Sequence, residues 1–202
     1  MKTISREAES AIEIKRSRFI GRSFKCGTPD EALAIVKRVR ETWRDATHHC
    51  WAYRVGTTGE QARYDNSGEP QGTAGPPILD VLKHLDLTNT LVVVTRYFGE
   101  TKLGAGGLVR AYSEAAKKAI EASVVTELQL IKEIRAPLPY YLLSQLESYM
   151  AREGFEIAAR DFGEIVILLL RVPVEREPNF RVFYTGLVNG KLAYTVLGEK
   201  YL

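Results

Sequence analysis

Apolar and polar positions alternate over residues 11–15 and 19–25, the period-two pattern of strands. The polar junction Lys15-Arg16-Ser17-Arg18 between them predicts a hairpin turn. Thr28-Pro29-Asp30-Glu31 reads as a capping box with proline at the first helical position, so a helix is expected to about residue 43. Its inward stripe would be Ala32, Val36, Val39 and Trp43, with Lys37, Arg40 and Arg44 along another face. A strand is expected over 50–55, a long polar loop over 56–70, and a helix within 73–85 that turns Ile78, Val81, Leu82 and Leu85 inward. Residues 90–98, centred on Leu91-Val92-Val93-Val94, read as a strand buried on both faces. A second amphipathic helix follows the glycines at 104, 106 and 107, with Leu108, Tyr112, Ala115 and Ala119 inward.

From residue 127 the pattern restarts: strand (128–135), helix (140–152), strand (155–160), turn, strand (165–172), helix (177–188), strand (192–197). This βαββαβ order is that of a split βαβ sandwich. The fold class is α+β, in two domains, 1–126 and 127–202.

Composition changes this picture little. The chain has 202 residues, 45% hydrophobic and 26% charged, with a net charge of +3, which permits a polyanionic partner without requiring one. The first 126 residues carry +4 and the remainder −1, so the basic excess lies in the first domain. Two cysteines, Cys26 and Cys50, are too few for a disulfide framework, and the start of the chain shows no secretory signal, so a cytoplasmic setting is expected. The longest apolar run, 165–170, is far shorter than a membrane span.

Chemistry concentrates in two glycine-rich stretches. In Arg96-Tyr97-Phe98-Gly99-Glu100-Thr101-Lys102-Leu103-Gly104-Ala105-Gly106-Gly107-Leu108-Val109-Arg110 a buried strand feeds a basic turn that opens a helix, where backbone amides and the helix dipole favour an anion. Arg96, Lys102 and Arg110 would neutralise it, and Tyr97 would stack. The equal alternative is that the glycines only permit tight packing. Neither the P-loop nor the dinucleotide pattern fits. Gly72-Thr73-Ala74-Gly75 marks a second helix start and would share a cleft with the first. Glu69 and His48 are further ligand contacts, or acid and base if the cleft belongs to an enzyme acting on a phosphorylated small molecule or nucleotide. His48 and Cys50 can share a strand face while His49 cannot, which leaves too few ligands for zinc. No catalytic constellation, metal or cofactor is called for by these residues.

Three motifs carry a family resemblance. They are Gly68-Glu69-Pro70-Gln71-Gly72-Thr73-Ala74-Gly75-Pro76-Pro77-Ile78-Leu79; Val93-Val94-Thr95-Arg96-Tyr97-Phe98-Gly99; and Lys102-Leu103-Gly104-Ala105-Gly106-Gly107-Leu108-Val109-Arg110-Ala111-Tyr112. Together with Ala46-Thr47-His48 they resemble the IMPACT family, in its bacterial YigZ branch. The resemblance implies a first domain similar to the second domain of ribosomal protein S5 and to RNase PH, with a left-handed βαβ crossover. It implies a second, ferredoxin-like domain similar to the last domain of elongation factor G. Both relatives handle RNA or ribosomes, and eukaryotic members of the family regulate translation by competing for the activator of an initiation-factor kinase. The chain departs from the family pattern at Asn66-Ser67, where aspartates are usual, and at Glu100, where glycine is usual. The resulting expectation is a non-catalytic protein that binds RNA or the ribosome and modulates translation. The alternatives are the enzyme above and a protein-interaction module.

Overall fold

Successive side chains of each strand point to opposite faces of its sheet, and this sorts the core into separate clusters. The computed structural model describes residues 1–202, a mixed α/β chain of eleven strands and five helices in two units, Met1–Leu128 and Gln129–Leu202. The first unit contains β1 (Lys2–Arg6), β2 (Ala8–Ile14), β3 (Ser17–Lys25), α1 (Pro29–Thr42), β4 (His48–Val55), β5 (Gln61–Asp65), α2 (Gly75–His84), β6 (Thr90–Tyr97), α3 (Ala105–Glu121) and β7 (Val124–Glu127). Five of its strands form one sheet in the order β2-β3-β6-β4-β5, every neighbouring pair antiparallel, and β1 pairs with β7 in a separate ribbon.

Cys50, Ala52, Val92 and Val94 turn to one face of this sheet and pack with α2 and α3. Trp51, Tyr53, Leu91 and Val93 turn to the other and pack with Ala32, Val36 and Val39 of α1. Helices on both faces are why β6 reads as an unbroken apolar run. Gly21 brings α3 against β3: a Cβ there would lie 2.4 Å from the Ala115 carbonyl oxygen. α1 starts as the capping box requires, with Thr28 Oγ1 accepting from the Glu31 amide at 3.2 Å and Glu31 Oε2 accepting from the Gly27 amide at 2.7 Å.

The second unit runs β8 (Leu130–Leu138), α4 (Leu143–Glu153), β9 (Glu156–Phe162), β10 (Val166–Pro173), α5 (Glu177–Leu187) and β11 (Thr195–Tyr201), with sheet order β11-β8-β10-β9 and all neighbours antiparallel. Val166, Leu168, Leu170 and Val172 alternate into a core completed by Leu146, Met150, Phe180 and Tyr184. α4 ends on Gly154 at φ 69°, a left-handed position that favours glycine. No helix of the chain is long and apolar enough to cross a membrane.

Several expectations need correction. The polar stretch 56–70 is not all loop, since it contains β5; this edge strand is almost wholly exposed and so carries no alternation. β1 and β7 were invisible for a similar reason, each being a single short strand of a two-stranded ribbon. Leu85 is exposed at 38%, and Leu87, beyond the helix end, fills the core instead. The last strand begins at Thr195, not at 192.

Candidate functional site

The antiparallel register aligns Phe19 of β3, Arg96 of β6 and His48 of β4 in one row across the sheet, on the face covered by α3. Arg96 is 4% exposed, an expensive place for a cation unless it is paired. Its Nη1 donates to Glu69 Oε1 at 2.6 Å and its Nη2 to Ser17 Oγ at 3.3 Å. The guanidinium lies 5.3 Å from the ring centroids of both Phe19 and Phe98. Its Nε, fully buried, donates to nothing.

Glu69 is itself buried, and the same Oε1 accepts from Tyr112 Oη at 2.7 Å. His48 Nδ1 stands 2.8 Å from the Ser67 carbonyl, which can only accept, so that nitrogen carries the proton; Nε2 is 3.8 Å from Glu69 Oε1. Burial, with Cys50 and Glu69 beside it, pushes the Tyr112 hydroxyl well above the usual tyrosine range. Burial likewise pushes the Cys50 thiol up to about 12, and its Sγ donates to the Asn66 carbonyl, so it is no nucleophile at neutral pH. His48 and Cys50 share a face, as alternation requires, but no group of three or more His, Cys, Asp or Glu converges here or elsewhere.

Beside Arg96 opens a cavity of about 220 Å³, walled by Glu69, Pro70, Arg96, Phe98, Lys102, Leu103, Gly104, Ala105 and Leu108. The N-terminus of α3 forms one side. Gly104 precedes it at φ 71° with no side-chain cap, and Leu108 is the first amide to bond back, to the Gly104 carbonyl. The amides of Ala105, Gly106 and Gly107 therefore have no helical partner. A Cβ built at Gly104 or Gly106 meets nothing within 4 Å, so neither glycine is there for close packing; Gly104 is needed for its backbone angle.

Other residues of the expected cleft are placed elsewhere. Tyr97 follows Arg96 on the strand and points to the opposite face, where its hydroxyl donates to Asp45 Oδ1 at 3.2 Å. Arg110 is exposed on α3 away from the cavity wall. The second glycine-marked helix start is already filled. Asn66 Oδ1 accepts from the Ala74 and Gly75 amides at 3.3 and 2.9 Å, and the Thr73 hydroxyl donates to the Pro70 carbonyl at 2.7 Å. Gly75 is a packing glycine, since a Cβ would stand 2.7 Å from Tyr64 Cδ2 and 3.1 Å from the Asp65 backbone. Gly72 takes φ 79° in the turn before it. The expected shared cleft thus reduces to the α3 side alone.

Two neighbours were missed. The β2–β3 turn places exposed Lys15, Arg16 and Arg18 beside the Phe98-Gly99 corner, so closely that a Cβ on Gly99 would fall 2.0 Å from the Arg16 carbonyl. Ser17 Oγ fastens the two, accepting from the Gly99 amide at 3.2 Å. Phe98 itself is 47% exposed. The basic run was legible as a turn, but only the β3–β6 register brings it to the site.

A sheet between helices, carrying the buried Arg96–Glu69 ion pair next to the uncapped start of α3, makes up this site on a mixed α/β scaffold. The Impact N-terminal domain family matches residues 15–120, which contain every residue of that site. The chain belongs to the IMPACT family. It is 34% identical over 189 residues to the IMPACT family member YvyE of Bacillus subtilis, covering 94% of this chain and 87% of that protein. It is 30% identical to the IMPACT family member YigZ of Escherichia coli, with 93% of each chain covered. A crystal structure described as that of a hypothetical protein superposes with a TM-score of 0.68 at 28% identity, covering 98% of this chain and 97% of that one.

Proposed function

We propose that this protein binds RNA or the ribosome through the α3 end of its first unit and thereby modulates translation, without catalysing a reaction. The observation that carries the reading is the uncapped start of α3 with exposed Lys102, adjoined by the exposed Phe98 ring and by Lys15, Arg16 and Arg18 on the neighbouring turn. Cations on a helix start with one exposed ring suit a phosphate backbone with a stacked base. Glu69 and His48 serve the reading structurally: the carboxylate is taken up by Arg96 and Tyr112, which removes it as a free base. The family resemblance supports it through the translation role of eukaryotic members. The S5-like reading of the first unit and the ferredoxin-like reading of the second belong to the same proposal. The second is supported by the βαββαβ order and the sheet order β11-β8-β10-β9.

The test is binding of labelled single-stranded RNA across a salt series, with Lys102→Glu and Arg16→Glu as variants. Arg96 is left intact because its ion pair is buried. Affinity should fall steeply with salt, with the logarithmic slope reduced by about 0.7 for each phosphate contact removed. No binding at low salt, or binding indifferent to both variants, overturns the reading.

A further inference from the structure

We propose that the second unit docks an arginine-bearing segment of another protein on an exposed aromatic corner formed by Tyr140, Tyr141, Phe162 and Ile165.

The corner lies where β9 turns into β10. Phe162 ends β9 opposite Val166, and its ring stacks on that of Tyr140, in the turn before α4, with 6.4 Å between centroids and 23° between planes. The Tyr140 hydroxyl donates to the Gly163 carbonyl at 2.8 Å, which ties that turn to the β9–β10 hairpin. None of the four side chains belongs to the core of the second unit, which closes on Leu142, Phe155 and Val166 instead. The three most exposed rings of the chain fall within this corner: Tyr141 at 78%, Phe162 at 59% and Tyr140 at 51%. Ile165, in the hairpin turn, is exposed with them. Folding gains nothing from apolar surface left in water, and such a patch on a folded unit marks an interaction site. The stack and the hydroxyl bond hold two of the rings in place beforehand, so a partner loses little by ordering them.

Charge selects the occupant. Asp161 and Glu164 flank Phe162 in the same hairpin, and neither is ion-paired. Every cation of the second unit except Arg135 and Lys191 is already bound to a carboxylate. Arg135 lies opposite Leu169, on the sheet face away from Phe162, and Lys191 precedes β11, the edge strand furthest from β9. The corner is therefore negative with no cation to cancel it. That field repels a phosphate backbone or an anionic lipid surface, and a second copy docking by the same corner would set carboxylate against carboxylate. It attracts a cation, and the ring faces decide which one. A planar guanidinium lies flat on a Tyr or Phe face while its N–H groups reach a neighbouring carboxylate, which an ammonium does less well. The fitting segment presents arginine beside an apolar side chain that covers Ile165.

The experiment uses the full chain as bait for a displayed library of short random peptides, followed by affinity measurements on the enriched sequences. The enriched peptides should carry arginine next to an apolar residue, and their binding should weaken with salt. Tyr141→Ala should weaken it at least about tenfold with an unchanged melting temperature, because that ring is outside the core. Glu164→Lys should weaken it severalfold and remove most of the salt dependence. No enrichment, enrichment without arginine, or peptides bound equally well by Tyr141→Ala each overturn the inference. So does a loss of single-stranded RNA binding in Tyr141→Ala, which assigns the corner to nucleic acid, or a concentration-dependent dimer that Tyr141→Ala dissolves, which assigns it to a second copy.

Discussion

The starts of α2 and α3 look alike in sequence, each a glycine-rich turn opening an amphipathic helix, yet the structure treats them oppositely. At α2 the amides of Ala74 and Gly75 are already bonded to Asn66 Oδ1, and Gly75 is wedged against Tyr64 and the Asp65 backbone. At α3 no side chain caps the amides, Gly104 and Ala105 line a cavity, and a Cβ on Gly104 or Gly106 would meet nothing within 4 Å. A glycine before a helix therefore has two distinct uses, to let another segment come close or to leave room. Only a Cβ built at the position tells them apart. What divides the two starts is Glu69, whose turn leads into α2 while its carboxylate is bonded to Arg96 and to Tyr112 of α3.

Removing that divider should have the largest effect. Glu69→Gln leaves Arg96 buried without a counter-charge and is expected to cost about 3–5 kcal/mol of unfolding free energy in urea titration. A cost under 1 kcal/mol would mean that the pair is solvated and the two helix starts are not separated by it. Gly75→Ala should cost about 1–3 kcal/mol, because the new methyl overlaps Tyr64 and the Asp65 backbone. Asn66→Ala should cost about 1 kcal/mol, the typical loss on removing a side-chain cap, and makes α2 resemble α3. The smallest change is opposite in sign: Gly106→Ala meets nothing within 4 Å and should stabilise by about 0.5 kcal/mol through the unfolded chain and helix propensity. Thermal melts of the Gly75→Ala and Gly106→Ala variants side by side check both directions at once.

Much of this contrast was legible in the chain, and each part that was not has a physical cause. Helix faces and central strands follow from periodicity because each is buried on a defined side, and the α1 capping box is local in sequence. β5 is an edge strand with exposed side chains, so residues 56–70 read as loop. Asn66 directly follows that strand and reaches α2 only because β5 pairs with β4, so missing the strand also hid the cap. The cavity residues Arg96, Lys102 and Gly104 fall together because the motif is contiguous. Tyr97 and Arg110 do not join them, for reasons of alternation and helix phase that apply to any strand and any helix. The basic turn at Lys15 to Arg18 needed the long-range β3–β6 pairing, which no local pattern encodes.

The alternation of β4 has one more consequence. His48 and Cys50 serve the Arg96–Glu69 side of the sheet, while His49, between them, stands 3.2 Å from Thr95 Oγ1 on the α1 side, where Arg22 Nη1 also bonds. A slip of one residue in the pairing of β4 would exchange these histidines and turn the Cys50 thiol toward Trp51's cluster, disrupting both faces together. A misregistered chain could not keep one cluster and lose the other. Formation of the cavity during folding is thus a reporter of correct strand pairing.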